Sequence, residues 1–410
     1  MFKSARKYIR QTGIILIMLC LSLPIPTLAQ SAEQKAGEQL KASGFENIRI
    51  VRAAPGIVCT IERGLYRSPV NDFRKALDLL KQLFPEDYSF RIILLEQGQA
   101  AYQLDATAEN VNPDKTDTIP TAKSWKSLKV EYADLEFFKS IEKEPVYRPV
   151  SSGITLVLYP QLTLQNMYFN HIYEKQLNLA PTLNYSGWKG MLLTAQLIFP
   201  LVNEINWRDD YIRPGFLTFS QNFKLPNLNE LKFTAGNFNR NRYGLDLRWK
   251  KHFNNSRWSL AANLSLTGYS SIYNQYWNHS ALNQTCWNMK VSYYYPAYQL
   301  QGDLTAGQFL AGDRGARMDV YRHFGEVTIG VYAAYTGHNP NGGFHFALPL
   351  DPFRRKHRHR VRLMLPAYFD MEYSARNEFV YDRYYEIRPD ENRSAQDIYP
   401  QFIQQQFHNP

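Results

Sequence analysis

Three cysteines in 410 residues are too few to staple a fold. Cys20 sits in an apolar N-terminal run, which leaves Cys59 and Cys286, far apart in the chain. Two buried thiols is the reading adopted for them, with a disulfide as the alternative in an oxidising compartment. No Cys/His spacing suits a metal. No H-x-x-x-H pair, Ser-His-Asp order or supported carboxylate dyad occurs, so a catalytic centre lacks recognisable parts. Beyond the N-terminus no apolar run approaches the ~20 residues that a helical membrane span requires. A disulfide scaffold, a zinc module and a helical membrane protein are thereby excluded. No enzyme activity and no cofactor are expected.

What is present begins with the N-terminus. Lys3, Arg6, Lys7 and Arg10 precede an apolar run from Thr12 to Leu23, and Thr27-Leu28-Ala29 offers a small-residue cleavage site. This reads as a secretory signal over 1–29, cut between Ala29 and Gln30. The formal net charge of +10 is only a weak pointer to an acidic partner, and an exported chain is not expected to meet nucleic acid.

Mean hydropathy is negative, yet the chain holds 28 Tyr and 24 Phe. Outer-membrane barrels combine the two, because lipid contacts alternate with polar residues and aromatic girdles ring both interfaces. Residues 298–350 show the pattern most clearly. Leu300, Leu304 and Ala306 alternate with Gln301, Asp303 and Thr305. Val327, Ile329, Val331, Ala333 and Tyr335 alternate with Thr328, Gly330 and Tyr332, and Phe344, Phe346, Leu348 and Leu350 with His345 and Ala347. A period of two between turn residues predicts consecutive antiparallel strands. A soluble sandwich with its apolar face inward and a membrane barrel with that face outward both fit the alternation.

In chain order, 30–105 reads as a small α+β domain of order αββαββ, with helices over Glu33–Ser43 and Ser68–Phe84, the second entered through Ser68-Pro69. Residues 106–150 read as a polar, proline-containing linker, with Glu131–Phe138 undecided between strand and helix. Residues 151–388 read as about fourteen antiparallel strands, within a range of twelve to sixteen, the last over Glu378–Ile387. Residues 389–410 read as a polar, partly disordered tail. If Ile154 starts on the periplasmic side, the longest connections (166–175, 200–215, 269–285) fall outside. Those facing the periplasm (186–190, 252–257, 296–297, 325–326) are short, except the basic 351–360. This is the loop asymmetry of an outer-membrane barrel.

Ala306-Gly307-Gln308, then Ala311-Gly312-Asp313-Arg314-Gly315-Ala316-Arg317 and Tyr321-Arg322-His323-Phe324, resemble the YjbH/GfcD family. Gly342-Gly343-Phe344, Phe346-Ala347-Leu348-Pro349-Leu350, Gly44–Ile50 and Ile61–Arg67 resemble it too. The resemblance implies an outer-membrane barrel working with exopolysaccharide or group 4 capsule export machinery. It also implies a Gram-negative outer membrane, with the N-terminal domain in the periplasm. The partners implied are outer-membrane lipid, a surface polysaccharide and export proteins. A pore, or a barrel-embedded lipid- or glycan-modifying enzyme, remains the alternative.

Three groups of residues are candidates for binding. Asp303, Arg317 and Asp319 fall on the polar face of adjacent strands, either as an internal ion-pair network or as a ligand site. Tyr273, Tyr276 and Trp277 lie in an outer connection, as interfacial anchors or as a sugar-stacking surface. Arg354, Arg355, Arg358 and Arg360 make a basic run, either a solvated loop or a contact for an anionic partner.

Overall fold

A computed structural model describes residues 31–53, 56–85, 89–107, 128–147, 154–166, 173–205, 210–238, 241–253, 257–273, 276–310, 312–350, 361–374 and 399–408. The expected cleavage site Ala29–Gln30, the basic run 354–360 and the fourteenth strand Glu378–Ile387 lie outside the described residues.

The small N-terminal unit starts with α1 (Ala32–Ser43). A capping box fixes its start: Ser31 Oγ accepts from Gln34 N at 3.2 Å, and Gln34 Oε1 accepts from Ser31 N at 3.3 Å. Gly44 ends it with φ 105°, a left-handed geometry that glycine adopts without strain. Strands β1 (Arg49–Ala53) and β2 (Gly56–Glu62), helix α2 (Pro69–Leu83) and strands β3 (Ser89–Glu96) and β4 (Gln99–Thr107) follow. Phe73, Leu77 and Leu80 recur on one face of α2 and are fully buried. The Ser68 hydroxyl does not cap α2 as the sequence suggested; it pairs with Gln406 at 3.3 Å instead.

The segment read as a linker contributes to this unit. β5 (Leu128–Tyr132) joins as fifth strand of a sheet ordered β1-β2-β3-β4-β5, antiparallel except for the β2/β3 pair. α3 (Leu135–Ile141), capped by Asp134, buries Phe138 and Ile141 in a second core cluster with Val58, Ile93 and Leu95. Proline and charge around it masked two short apolar patterns: Leu128/Val130 at strand spacing and Phe138/Ile141 at helix spacing.

The rest of the described chain is mainly β. Strands β6 (Ile154–Asn166), β7 (Tyr173–Tyr185), β8 (Met191–Asn203), β9 (Arg213–Leu225), β10 (Asn229–Phe238), β11 (Arg242–His252) and β12 (Trp258–Tyr273) pair in sequence order. The series continues with β14 (Gln284–Tyr295), β15 (Leu300–Gln308), β16 (Arg314–Phe324), β17 (Val327–Thr336) and β18 (Asn339–Pro349). β13 (Tyr276–His279) pairs only with the end of β12. β19 (Val361–Met364) and β20 (Tyr368–Ser374) sit at the two ends of this 15-stranded sheet. β19 runs parallel to β6, whereas β20 is antiparallel to β18. Three residues of chain separate them, so the two ends of the strand order are neighbours in sequence.

The two faces of the sheet are opposite in character. Along β17, Thr328, Gly330, Tyr332, Ala334 and Thr336 are buried, while Ile329, Val331, Ala333 and Tyr335 are exposed. On β12, Ser265 and Thr267 are buried and Leu264 and Leu266 exposed; on β15, Gln301, Asp303 and Thr305 are buried and Leu304 exposed. A soluble sandwich buries the apolar face. Here the sheet curls around its polar face and presents the apolar one outward.

The tail does not follow the sequence reading. α4 (Pro400–His408) is a helix, and Ile403 and Phe407 are buried in the main core of the small domain. Tyr399, Ile403 and Phe407 recur every four residues, an apolar stripe that three glutamines in a row obscure.

Candidate functional site: the polar face and its two ends

Arg317 lies at the centre of the polar face. Its Nη2 donates to Asp319 Oδ1 at 2.7 Å and to Glu372 Oε2 at 2.9 Å. Its guanidinium lies over the Tyr332 ring at 3.8 Å. β16 supplies Arg317 and Asp319, and β20 supplies Glu372, on the far side of β17 and β18. His345 on β18 stacks against Tyr321 with ring centroids 4.2 Å apart, and its Nδ1 stands 4.0 Å from both Asp319 and Glu372. Tyr321, Gly330 and His345 are register partners on three successive strands. Gly330 is needed there, because a Cβ would overlap the His345 ring.

Asp303 sits opposite Asp319 in the β15/β16 register. It accepts from Gln301 Nε2 at 3.0 Å and lies 3.7 Å from Lys290 Nζ. A third buried carboxylate, Asp246, accepts from Asn263 at 2.8 Å, Ser265 at 2.7 Å and Arg248 at 2.9 Å. Asp303, Arg317 and Asp319 are thus all on the polar face, each in an ion pair there. Sequence reasoning missed Glu372, Lys290 and Asp246. The period-two pattern alone puts Glu372 on the polar face, but only the strand register reveals that it meets Arg317.

One end of the sheet carries the small domain. Strand direction alternates, so the turns after β7, β9, β11, β14, β16 and β18 lie at this end. Gly190 N donates to Gln97 O at 2.9 Å, and Lys189 pairs with Glu142 at 2.8 Å. Gln99 clamps the end of β9, donating to Asn222 O at 2.7 Å and accepting from Lys224 N at 2.9 Å. Tyr132 meets His252 at 2.8 Å, Arg67 Nε donates to Glu326 at 2.8 Å, and Arg362 donates to Glu46 at 2.6 Å. α4 also packs at this end. Gln405 accepts from Tyr294 at 2.9 Å and donates to Pro296 O at 2.6 Å, and Tyr399 stacks on Tyr294 at 5.3 Å.

Beside the Gln99 clamp, Arg63 pairs with Glu96 and Lys224 with Glu230. Burial pushes the Glu96 carboxyl up, but the charges of Arg63 and Lys224 outweigh it and hold that carboxyl below the usual range. Glu62, with Asn47 and Gly98 N as neighbours, goes the other way: burial raises it.

At the opposite end Phe309 and Leu310, just past β15, are fully buried, and Leu310 packs with Phe238 and Cys286. No disulfide joins Cys286 to Cys59, and both are buried in different parts of the molecule. Among the described residues no group of three or more His, Cys, Asp or Glu side chains could hold a metal ion. No described helix is long and apolar enough to cross a membrane.

Residues 239–363 match the family described as YjbH, exopolysaccharide biosynthesis protein. The match covers less than a third of the chain. It runs from the start of β11 into β19, so Asp246, Asp303, Arg317, Asp319, Gly330 and His345 lie within it and Glu372 outside. The resemblance of residues 44–50 and 61–67 falls outside the YjbH match. No curated protein and no solved structure matches the chain.

Three further sequence candidates lie at the end of the sheet away from the small domain. Tyr273, Tyr276 and Trp277 belong to the hairpin of β12 and β13, where Tyr273 pairs with Tyr276 and Ile272 with Trp277. Tyr276 and Trp277 are exposed, at 75% and 54%. They are remote from the Arg317 cluster, so the structure does not bring the sequence candidates into one site.

Proposed function

We propose that the chain is an outer-membrane β-barrel that assists production or export of a surface exopolysaccharide without performing chemistry itself. The observation that carries the membrane assignment is the inverted sheet, polar face buried and apolar face out. In lipid every backbone group must be paired within the protein, which only helices and closed barrels achieve. The short stretch of chain between β19 and β20, each paired to one end of the strand order, supports ring closure through them.

The aromatic residues fit the same reading. Trp258 and Tyr293 rings are 4.5 Å apart at the small-domain end, with Tyr295 and Tyr298 next to them. At ~3.3 Å per residue and a tilt of ~40°, the rise from Trp258 to Tyr269 is about 28 Å, close to the ~25 Å apolar band of such barrels. Leu260, Leu264 and Leu266 lie between the two, on the outward face.

The exopolysaccharide role rests on the YjbH match. A non-catalytic role is favoured by the buried charges, which pair with one another. A passive pore needs an open path. Phe309 and Leu310 at one end, and the small domain with α4 at the other, speak against one. Extraction with detergent from the outer membrane, with heat-modifiable gel mobility, tests the architecture; recovery as a soluble periplasmic protein refutes it. Planar-bilayer recording is expected to give no open steps, and steady conductance would restore the pore. Deletion of the gene is expected to reduce surface polysaccharide, and an unchanged amount refutes the role.

A further inference from the structure

The hairpin of β12 and β13 extends past the sheet. β12 leaves its β14 partner after Thr267 and its β11 partner after Tyr269, apart from Ser270 N, which donates to Asn241 O at 2.7 Å, and residues 270–273 are in register with 276–279. The rise from Tyr269 to Tyr273 adds about 10 Å above the apolar band. The hairpin tip with Tyr276 therefore stands clear of the band's edge, where an interfacial girdle sits, while the Trp277 indole lies nearer that edge, beside Ser270.

The rings here are held in place by their own polar groups. Trp277 Nε1 donates to Ser270 Oγ at 3.0 Å, and Tyr243 OH donates to Ser280 O at 2.7 Å. The indole stacks on His279, centroids 4.2 Å apart and planes 19° apart, and Tyr243 meets both rings edge-on at 6.0 and 6.5 Å. Gly268 keeps the space beside Tyr243 open, since a Cβ there would lie 2.8 Å from its ring. One face of the indole is covered by His279, and more than half of the Trp277 side chain still faces solvent. The result is a flat aromatic face, with Ser270 and Ser280 beside its rings and its ordering cost already met by contacts within the protein.

We propose that Trp277, braced by His279, Ser270 and Tyr243, is a stacking platform for pyranose rings of the exopolysaccharide on the outer side of the membrane, with Tyr276 as a second contact at the hairpin tip. Sugar rings present C–H faces that lie on flat aromatics and hydroxyls that suit amides and serines, which matches this surface better than a charged ligand would. The proposal rests on the exopolysaccharide reading above and names the class of ligand and the place it touches.

The test uses full-length protein in nanodiscs and, as probe, polysaccharide released by the cells that make the protein, read by affinity electrophoresis. Trp277→Ala and Tyr276→Ala are each expected to weaken binding about tenfold, the scale of one aromatic contact. His279→Ala is expected to act in the same direction by loosening the indole, and Trp277→Phe to recover most of the binding. Heat-modifiable mobility unchanged in all four keeps the result separate from misfolding. Binding equal to wild type in Trp277→Ala overturns the platform. So does loss of membrane insertion in place of binding, which would make the ring an anchor, and so does full competition by lipopolysaccharide alone. If wild type does not bind the probe but gene deletion still depletes surface polysaccharide, the platform fails and the exopolysaccharide role stands; if deletion has no effect, the role itself fails.

Discussion

Replacing Arg317 with Met tests whether the polar face is a dry, paired interior. The Arg317, Asp319 and Glu372 side chains are 11%, 6% and 19% exposed, and the guanidinium donates to both carboxylates. Met keeps the volume and removes the charge, leaving two carboxylates side by side. Breaking a buried pair by deleting one partner costs about 3–5 kcal/mol, against about 0–1 kcal/mol for a surface pair. The Tyr332 contact adds to the loss, since a desolvated cation over a ring contributes about 2 kcal/mol. The expected cost of Arg317→Met is therefore at least about 3 kcal/mol, or roughly a hundredfold or more in the folding equilibrium. Urea titration of folding into lipid vesicles, scored by the folded band on unheated gels, measures it. Arg317→Met/Asp319→Asn/Glu372→Gln, with the charges removed together, is expected to recover most of the loss. A cost below about 1 kcal/mol for the single variant refutes the argument, because it would mean that water already screens these groups.

Gly330→Ala is expected to destabilise by about 1–3 kcal/mol through overlap with the His345 ring, and Gly330→Ala/His345→Ala to relieve part of it in the same titration. Phe407→Ala is expected to cost about 3–5 kcal/mol and to make the small domain, 250 and more residues earlier in the chain, sensitive to protease. The Cys59 thiol, which burial pushes up to about 12, is expected to resist maleimide at neutral pH until the protein is denatured. The Glu96 carboxyl is held below its unfolded value, so its pair with Arg63 stabilises the folded state at neutral pH; the contribution is lost as pH falls through the depressed value. Acid titration of protease resistance in wild type and Glu96→Gln checks this, the variant being expected to lose part of the acid-sensitive step.

Much of the sheet was legible because an exposed apolar face on one side and packed polar groups on the other impose a strict period of two. The turns that the sequence grouped at one end do lie at the end that carries the small domain, through Gly190, His252, Pro296 and Glu326. What failed to show were features set by partners distant in sequence. Leu128/Val130 and Phe138/Ile141 are too short to stand out until β4 and β3 give them a surface. Tyr399, Ile403 and Phe407 have no meaning as a stripe until the α2 core is there to receive them. Within the interior, Arg317 and Asp319 were visible as charges on an alternating strand. Glu372 was not visible as their partner, because it comes from a strand that is three removed in the sheet and more than fifty residues away.

The position of α4 also has a consequence for synthesis. The helix that completes the first domain's core is translated some 320 residues after α2, about 16–64 s later at 5–20 residues per second. Until α4 reaches it, the folded part of the early domain has an apolar hollow with no native occupant. A nascent or truncated chain is therefore distinguishable from a finished one by that exposed surface alone. The hollow is hidden only after the last strands have been made, so its closure reports that the whole sheet has been delivered.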